Sequence, residues 1–514
     1  MATATERRRS SRTLRRAVLL GLGVAGSTAA LAADGWTFAP SVQVKGTATD
    51  NVDQSPDGSK RSDFVTEVVP GIRIDGNGKR VKLHLDYQMD SVIYARESSQ
   101  NDIRNSLNAN GSVEAIENFF FVDGSASIAQ QAVSAFGPRP TDNTTVSNNR
   151  TETRTYSVSP YVRGQFTGST NYIVRYTYTD LTSTSDQASD SKVSEASAHI
   201  GGATRLTSLA WAGEIDSQQV DNTQRRDTQA DRARAILTYT LDPQFRITGT
   251  GGYERNDYAT LEATGHATYG AGFEWGPTPR SNVYGHWERR FFGNGWDYGA
   301  SHRTPFLSFS LRSSRDVNTD AQSAAGIGPG SAFNLLFAAL TTRFPDPIDR
   351  AAEAQRLLRE GGIPADLGLP PDFLVGSVFV ERRTQLSAAF LGVRNTLAFI
   401  VYQTTRDALG AATETGTPSN VQPNTKEWGA SADYSHKLTG FSSVGAGTSW
   451  RRTTGESSSN LASDQWDGHL RYVTQLGRRT SGSLEYRHTR FTGDSGGTSD
   501  YTENAFIASL LMQF

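Results

Sequence analysis

The sequence lacks three features, and each absence removes a class of protein. Its 514 residues include no cysteine, which excludes a disulfide-stapled scaffold and an enzyme that uses a thiolate. Beyond the amino-terminal segment, no apolar run reaches about 18 residues, the length that a membrane-spanning helix needs. The formal net charge of −2 provides no general attraction to nucleic acid, so we expect no nucleic-acid partner.

Motifs for metal or phosphate chemistry are also scarce. The eight histidines form no closely spaced pair of metal ligands. Residues Gly326–Gly330 faintly resemble a phosphate-binding loop, but no Gly-Lys-Ser/Thr follows them, so a flexible lead-in to the next segment is favoured. We expect no catalytic, metal or cofactor site. A hydrolase using a Ser and a His on one wall stays the last of the alternatives.

The amino terminus has the composition of an export signal. A basic head runs from Arg7 to Arg16, an apolar stretch of small residues follows from Ala17 to Ala33, and Ala30-Leu31-Ala32 fits a signal-peptidase site. A membrane anchor is the alternative, but the run is short, rich in Gly and Ala, and followed by no basic stop. We therefore predict a signal peptide at residues 1–32 and an exported bacterial domain at residues 33–514.

From Trp36 to Phe514, apolar and polar residues alternate with a period of two. Between Val81 and Met89, for example, apolar residues occupy the odd positions, and Lys, His, Asp and Gln occupy the even ones. A strand places such sets on opposite faces of a sheet. Two folds fit: a soluble sandwich whose apolar faces pack together, and an outer-membrane barrel whose apolar face meets lipid.

Three features favour the barrel. The alternating segments run about 10–13 residues, long enough to cross a bilayer at a tilt, whereas sandwich strands are nearer 5–6. Short connections alternate with long polar ones, and both ends of the chain lie on the side of the short turns. We predict an all-β, antiparallel up-and-down barrel of about 22 strands in the bacterial outer membrane. The count is least certain at the tight link Gly293–Gly295, and a difference of one hairpin would give about 20 or 24 strands.

Aromatic residues strengthen this interpretation. The last segment is amphipathic and ends in an aromatic residue, a pattern typical of the signal by which outer-membrane barrels are inserted. Its predicted signal face consists of Phe506, Leu510, Met512 and Phe514. Other aromatic residues, including Trp36, Phe119–Phe121, Trp450 and Trp466, fall near strand ends, where bilayer interfaces favour them.

One segment, residues 316–379, breaks the alternation. Phe333, Leu336, Phe337 and Leu340 have helical spacing, and a second helix is predicted from Asp346 to the glycines at 361–362. By parity, this helical insertion leaves the extracellular end of a hairpin. It either folds into the lumen as a constriction or lies as a docked extracellular loop.

Basic residues on the polar faces are nearly all arginine, and the chain has only seven lysines. Arginine pairs well with carboxylates and phosphates. Two readings follow: the arginines pair across strands and rigidify the wall, or they contact an anionic solute in the lumen. The candidate lumen-facing residues are Arg175, Arg232, Arg234, Arg290, Arg471 and Arg487.

Four stretches resemble a family of uncharacterised outer-membrane proteins associated with the PEP-CTERM/exosortase system. They are Ser62–Gln88, Thr153–Phe166, Thr341–Pro364 and Val378–Leu409. The resemblance covers nearly the whole mature chain, and the helical insertion is its most specific part. It implies an envelope role, with exopolysaccharide export as the associated process and outer-membrane lipid, polysaccharide and inner-membrane or periplasmic export proteins as partners.

The functional expectation is a channel-type component for exopolysaccharide or related envelope traffic. The chain encodes no energy source, so transport would be passive or driven by inner-membrane partners. The alternatives are a general diffusion porin and a non-transporting scaffold of a secretion complex. A receptor with an amino-terminal plug domain is less favoured, because alternation begins near Trp36.

Overall fold

The computed structural model describes residues 35–140, 142–185, 190–223, 226–318, 332–344, 350, 353–358, 378–409, 424–455, 461–493 and 500–514. The predicted signal peptide at 1–32 lies outside these residues. Antiparallel strands of 10 to 17 residues make up most of the described chain. In order they are β1 Trp36–Thr49, β2 Asp63–Asn77, β3 Val81–Tyr94, β4 Asp102–Ile116, β5 Phe120–Gln131, β6 Thr151–Thr167, β7 Thr170–Ser183, β8 Ser191–Ala203, β9 Leu209–Asn222, β10 Thr228–Asp242, β11 Phe245–Asn256, β12 Thr264–Thr278, β13 Ser281–Arg290, β14 Gly293–Arg303, β15 Leu307–Asn318, β16 Phe379–Leu391, β17 Asn395–Ala408, β18 Thr425–Lys437, β19 Ser442–Gly455, β20 Ala462–Gly477, β21 Thr480–Gly493 and β22 Tyr501–Gln513.

The strands form a closed barrel. Each strand pairs with its neighbours in sequence, and β1 pairs with both β2 and β22, from Ser41 opposite Gln513 to Thr49 opposite Ala505. The sheet therefore has no open edge. The predicted count of 22 strands is confirmed. The tight link is also a true turn, since β13 and β14 are joined by two residues and Gly293 has a φ of +101°.

The two faces of each strand separate by polarity. On β10, Leu237 and Tyr239 point outward and are 57% and 46% exposed, whereas Arg232 and Arg234 lie on the opposite face. The same division recurs around most of the barrel, so the outer surface is apolar and the inner surface is mainly polar. The sandwich alternative is wrong, because these outward faces have no second sheet to pack against.

Within the described ranges, helical structure is confined to short pieces. Helix α1 spans Ala332–Ala339 and continues as a 3₁₀ turn, Leu340–Thr342, and a further helical segment covers 353–358. Two more 3₁₀ turns lie in outer loops, at Asp57–Ser59 and Ser98–Gln100. Among the described helices, none is long and apolar enough to cross a membrane.

Candidate functional site in the barrel lumen

The connection between β5 and β6, residues 132–150 with position 141 outside the description, folds into the barrel; we call it the lumen loop. Ala132, Ala135 and Phe136 pack with Phe379 at the start of β16 and with Leu461 before β20. Strands β5 and β16 are eleven positions apart in a ring of 22, so they form opposite walls. The lumen loop therefore crosses the interior from one wall to the other.

A buried ion pair anchors the lumen loop to the far wall. Arg139 lies 2.9 Å from Glu427 of β18, and both side chains are only 6% exposed. Tyr402 donates a second hydrogen bond to Glu427 at 2.7 Å. The Gln465 side chain of β20 accepts from the Arg139 amide at 3.0 Å and donates to its carbonyl at 2.8 Å. The buried Glu427 charge is thus compensated by a cation and a hydroxyl donor, as burial requires.

A second anchor joins the lumen loop to the wall nearer the chain termini. Asp142 pairs with Arg487 of β21, which also lies 3.2 Å from Glu503 of β22. Burial alone would raise the pKa of the Asp142 carboxyl, but the Arg487 charge and hydrogen bonds from Thr144 outweigh burial and hold that pKa below its ordinary range. Asn143 completes the anchor by donating to Asp90 of β3 at 2.8 Å.

Within the lumen loop, the Asn149 side chain fixes the local fold. Its oxygen accepts from the Ser134 amide at 2.7 Å, and its nitrogen donates to the carbonyls of Ser134 and Pro138 at 3.0 and 3.2 Å. A Cβ on Gly137 would come within 2.6 Å of the same nitrogen, so glycine permits this close approach. The lumen loop thus has internal structure of its own besides its wall contacts.

The described helical residues of the insertion also lie inside the barrel. Leu336 of helix α1, Leu340 of the 3₁₀ turn that follows it, and Ala354 and Leu358 of the second segment are at most 3% exposed. They pack against inward-facing residues of the wall, namely Ala389 and Leu391 of β16 and Ala398 and Ile400 of β17. These wall residues lie toward the short turn at 392–394, which is the periplasmic end by the usual arrangement of bacterial barrels. We call helix α1 and segment 353–358 the helical plug.

The structure adjusts the boundaries predicted for this insertion. Strand β15 continues to Asn318 and β16 begins at Phe379, so the insertion starts later than residue 316. The apolar positions Leu336 and Leu340 lie on the packed face of the plug, as their spacing predicts. The predicted start of the second helix at Asp346 lies outside the described residues.

The six candidate arginines all lie on the inner face, and each pairs with a carboxylate of a nearby strand or of the lumen loop. This geometry favours reinforcement of the wall, and contact with an anionic solute stays a prediction. The pairs are Arg175 with Asp123 at 2.9 Å, Arg234 with Glu214 at 2.5 Å, Arg290 with Glu254 at 2.9 Å, Arg232 with Glu288, Arg471 with Glu485, and Arg487 with Asp142 and Glu503.

The carboxyl-terminal strand has the predicted outward face. Phe506, Leu510 and Met512 are 65%, 40% and 42% exposed, and the amide of Phe514 donates to the carbonyl of Pro40 on β1. Their role as an insertion signal stays a prediction.

Phe121 differs from the prediction of an interfacial aromatic residue. It shares the parity of Asp123, and it stacks on Tyr161 inside the barrel, with Arg163 4.2 Å above its ring. Its place in the strand therefore turns the Phe121 ring toward the lumen and not toward the lipid interface, although it does lie near a strand end.

The geometry of the wall decides where the molecule resides. Its strands are long enough to cross a bilayer, its outward faces are apolar, its polar residues line a lumen, and closure leaves no unpaired edge. The chain is an outer-membrane β-barrel. Among the described residues, no group of three or more His, Cys, Asp or Glu side chains could hold a metal ion.

Comparison with known proteins adds the fold alone. No family model and no curated protein matches the chain. Among solved structures, it is similar to the ferric-catecholate import receptor Fiu from E. coli K12, with 8% identity, 92% of this chain and 81% of that chain covered, and a TM-score of 0.47. It is also similar to the FrpB iron transporter from Neisseria meningitidis, with 9% identity, 94% of this chain and 82% of that chain covered, and a TM-score of 0.48. The outer membrane protein opdK from Pseudomonas aeruginosa shares 9% identity, with 93% of this chain and 99% of that chain covered, and a TM-score of 0.35. At these values, the likenesses carry nothing about what this chain binds or transports.

Proposed function

We propose that this barrel is a conduit for hydrophilic solutes across the outer membrane, closed by the lumen loop and the helical plug until one of them moves. The observation that carries the proposal is the burial of both segments inside a wall that is already closed by its own hydrogen bonds. Because the barrel does not need either segment to satisfy its backbone, their position in the lumen is available for control of passage.

The two segments are held by different forces. The lumen loop is attached through charged and hydrogen-bonded anchors, above all Arg139 to Glu427 and Asp142 to Arg487. The helical plug is attached through apolar contacts to β16 and β17. A solute or partner that competes for charges would act on the first, and only a change in apolar packing would release the second.

For the cargo, we propose exopolysaccharide of the envelope system to which the sequence resemblance points. The inner wall supports this choice, since it presents hydroxyl, amide and paired charged groups, which suit a hydroxylated chain. Periplasmic or inner-membrane export proteins would then supply the driving force. Blockade of the conductance of the variant that lacks Ser331–Glu360 by an acidic polysaccharide, and not by dextran of equal length, tests this choice. A chromosomal neighbourhood of polysaccharide genes would support it independently.

Conductance in planar bilayers tests the proposal. We expect little conductance from the intact protein and a marked increase after deletion of Ser331–Glu360. A large and stable conductance of the intact protein would instead identify a general diffusion porin. No conductance in either form would identify a non-transporting scaffold.

A point variant sharpens this experiment. Leu336→Ala removes a fully buried side chain of the plug and should cost about 2–5 kcal/mol of its seating energy. Leu386→Ala on β16 is the matched control, because this leucine faces lipid and is 41% exposed. We expect openings to become more frequent in the first variant and to stay at the level of the unaltered protein in the second.

A further inference from the structure

A cavity of about 350 Å³ lies at the periplasmic mouth of the barrel, beneath the helical plug. Arg356 of segment 353–358 is the residue of the plug that lines it, and the inner faces and turns of β18 to β22, together with β1, supply the rest of the lining. Every charged residue that lines this cavity is basic. They are Arg356, Lys437, Arg471, Arg478 and Arg479.

The rest of the lining is mostly neutral and polar, and it includes Ser481, Ser509 and Gln513. No Asp or Glu among the described residues lines the cavity. Two of the basic residues pair with carboxylates that are not part of the lining, Arg471 with Glu485 and Arg356 with Glu353 at 2.5 Å.

Arg478 and Arg479 occupy the short turn between β20 and β21, and neither makes an ion pair with a described residue. Several other basic side chains of the inner wall pair with nearby carboxylates, as in Arg73 with Asp86 and Arg246 with Glu274. The mouth cavity therefore combines paired arginines with two turn arginines that have no carboxylate partner among the described residues.

We propose that this cavity binds a small solute that carries phosphate or carboxylate groups beside hydroxyls and that enters from the periplasm. Guanidinium groups give paired, charge-assisted hydrogen bonds to such anions, and the surrounding hydroxyls and amides suit a sugar-like body. The wall residues of the cavity belong to the inner face, so a lipid headgroup in the bilayer is not the occupant.

Arg356 links this binding to the plug. It belongs to the same short segment as Ala354 and Leu358, which are buried against β16 and β17. Arg356 can line the cavity only while the plug is seated, so a bound anion stabilises the seated plug, and release of the plug weakens anion binding by the same factor. This coupling rests on the proposed function, whereas the binding itself does not.

Calorimetry on the full-length protein in detergent tests the site without measuring conduction. The probes are inorganic pyrophosphate, D-glucuronate and neutral D-glucose. We expect both anions to bind, with affinities that fall as salt is raised, and glucose to bind at least tenfold more weakly. Arg478→Gln with Arg479→Gln, and separately Arg356→Gln, should each weaken anion binding about tenfold or more.

Arg246→Gln is the control, because this inward arginine lies at the same rim on the far side of the barrel and should leave binding unchanged. Absence of anion binding, or equal weakening by Arg246→Gln, overturns the site. Binding that survives Arg356→Gln but not the double turn variant overturns its link to the plug. A protein that binds anions as expected but never conducts would refute the conduit and leave the site standing.

Discussion

Breaking the Arg139–Glu427 pair should release the lumen loop. Arg139→Gln leaves the Glu427 carboxylate buried without its cation, at 6% exposure. Loss of one partner of a buried ion pair costs about 3–5 kcal/mol. The hydrogen bond from Tyr402 remains, so we take the lower end, about 3 kcal/mol. At about 1.4 kcal/mol per factor of ten, the unseated population of the loop should rise about a hundredfold.

The absence of native thiols offers a direct assay. Ala135→Cys places a single thiol in the buried part of the lumen loop, where the native side chain is 5% exposed. Its rate of labelling by a maleimide reports how often the loop leaves its seat. We expect this rate to rise about a hundredfold when Arg139→Gln is added, in step with the population.

The control is Arg246→Gln in the same thiol background. The Arg246–Glu274 pair has similar chemistry and a distance of 2.7 Å, but its side chains are 50% and 47% exposed. Such pairs contribute less than about 1 kcal/mol, so labelling should not change. An unchanged rate with Arg139→Gln, or an equal rise in both variants, would refute the view that this ion pair seats the loop.

Three further predictions concern pH, the lipid face and the inner wall. The Arg487 charge outweighs burial and lowers the pKa of Asp142, so its contribution is present above the ordinary carboxyl value of about 3.9 and is lost only as pH falls below it; the increase in conductance caused by Asp142→Asn should therefore be the same from about pH 8 to pH 5, and an increase that vanishes by pH 5 would contradict the pairing. Leu237→Arg on the lipid face should destabilise the folded barrel by about 2–4 kcal/mol, measured as a lower free energy of unfolding in urea titrations in lipid, whereas Ile236→Arg on the inner face should destabilise it far less. Replacing Arg232 and Arg234 with Gln leaves their carboxylate partners uncompensated, so ion selectivity measured after deletion of the plug should shift toward cations; unchanged selectivity would contradict the view that these charges face the conducting lumen.

The number of strands and the face on which each side chain lies were predictable, because both are local properties of the sequence. A period of two places each side chain on one face whatever the rest of the chain does, and turns between alternating segments can be counted directly. The apolar positions of the insertion were predictable for the same reason, since Leu336 and Leu340 follow a helical period.

The lumen loop was not predictable from local pattern. Its anchors join residues far apart in sequence, with 288 positions between Arg139 and Glu427 and 345 between Asp142 and Arg487. Alternation reports only that the loop interrupts the strands. One signal was available: Ala132, Val133 and Phe136 are apolar residues in a connection that otherwise resembles a polar surface loop.

The residues of the wall strand β17 carry a clearer signal that the helical plug lies inside the lumen. Between Leu397 and Tyr402, β17 is apolar on both faces, unlike the alternating strands around it. A strand with two apolar faces must be covered on both sides, by lipid outside and by protein inside. Ala398 and Ile400, both at 0% exposure, show where that cover lies.

The seam between β1 and β22 has a consequence for biogenesis. It brings together residues as distant as Gln43 and Ser509, 466 positions apart, so the ring cannot shut before translation of the last strand is finished. Until then, both terminal strands expose hydrogen-bonding groups that other nascent chains could capture. A cell making this protein must therefore chaperone almost the complete polypeptide in an unsealed form, and loss of even the final strand should send it to aggregation or proteolysis instead of a smaller pore.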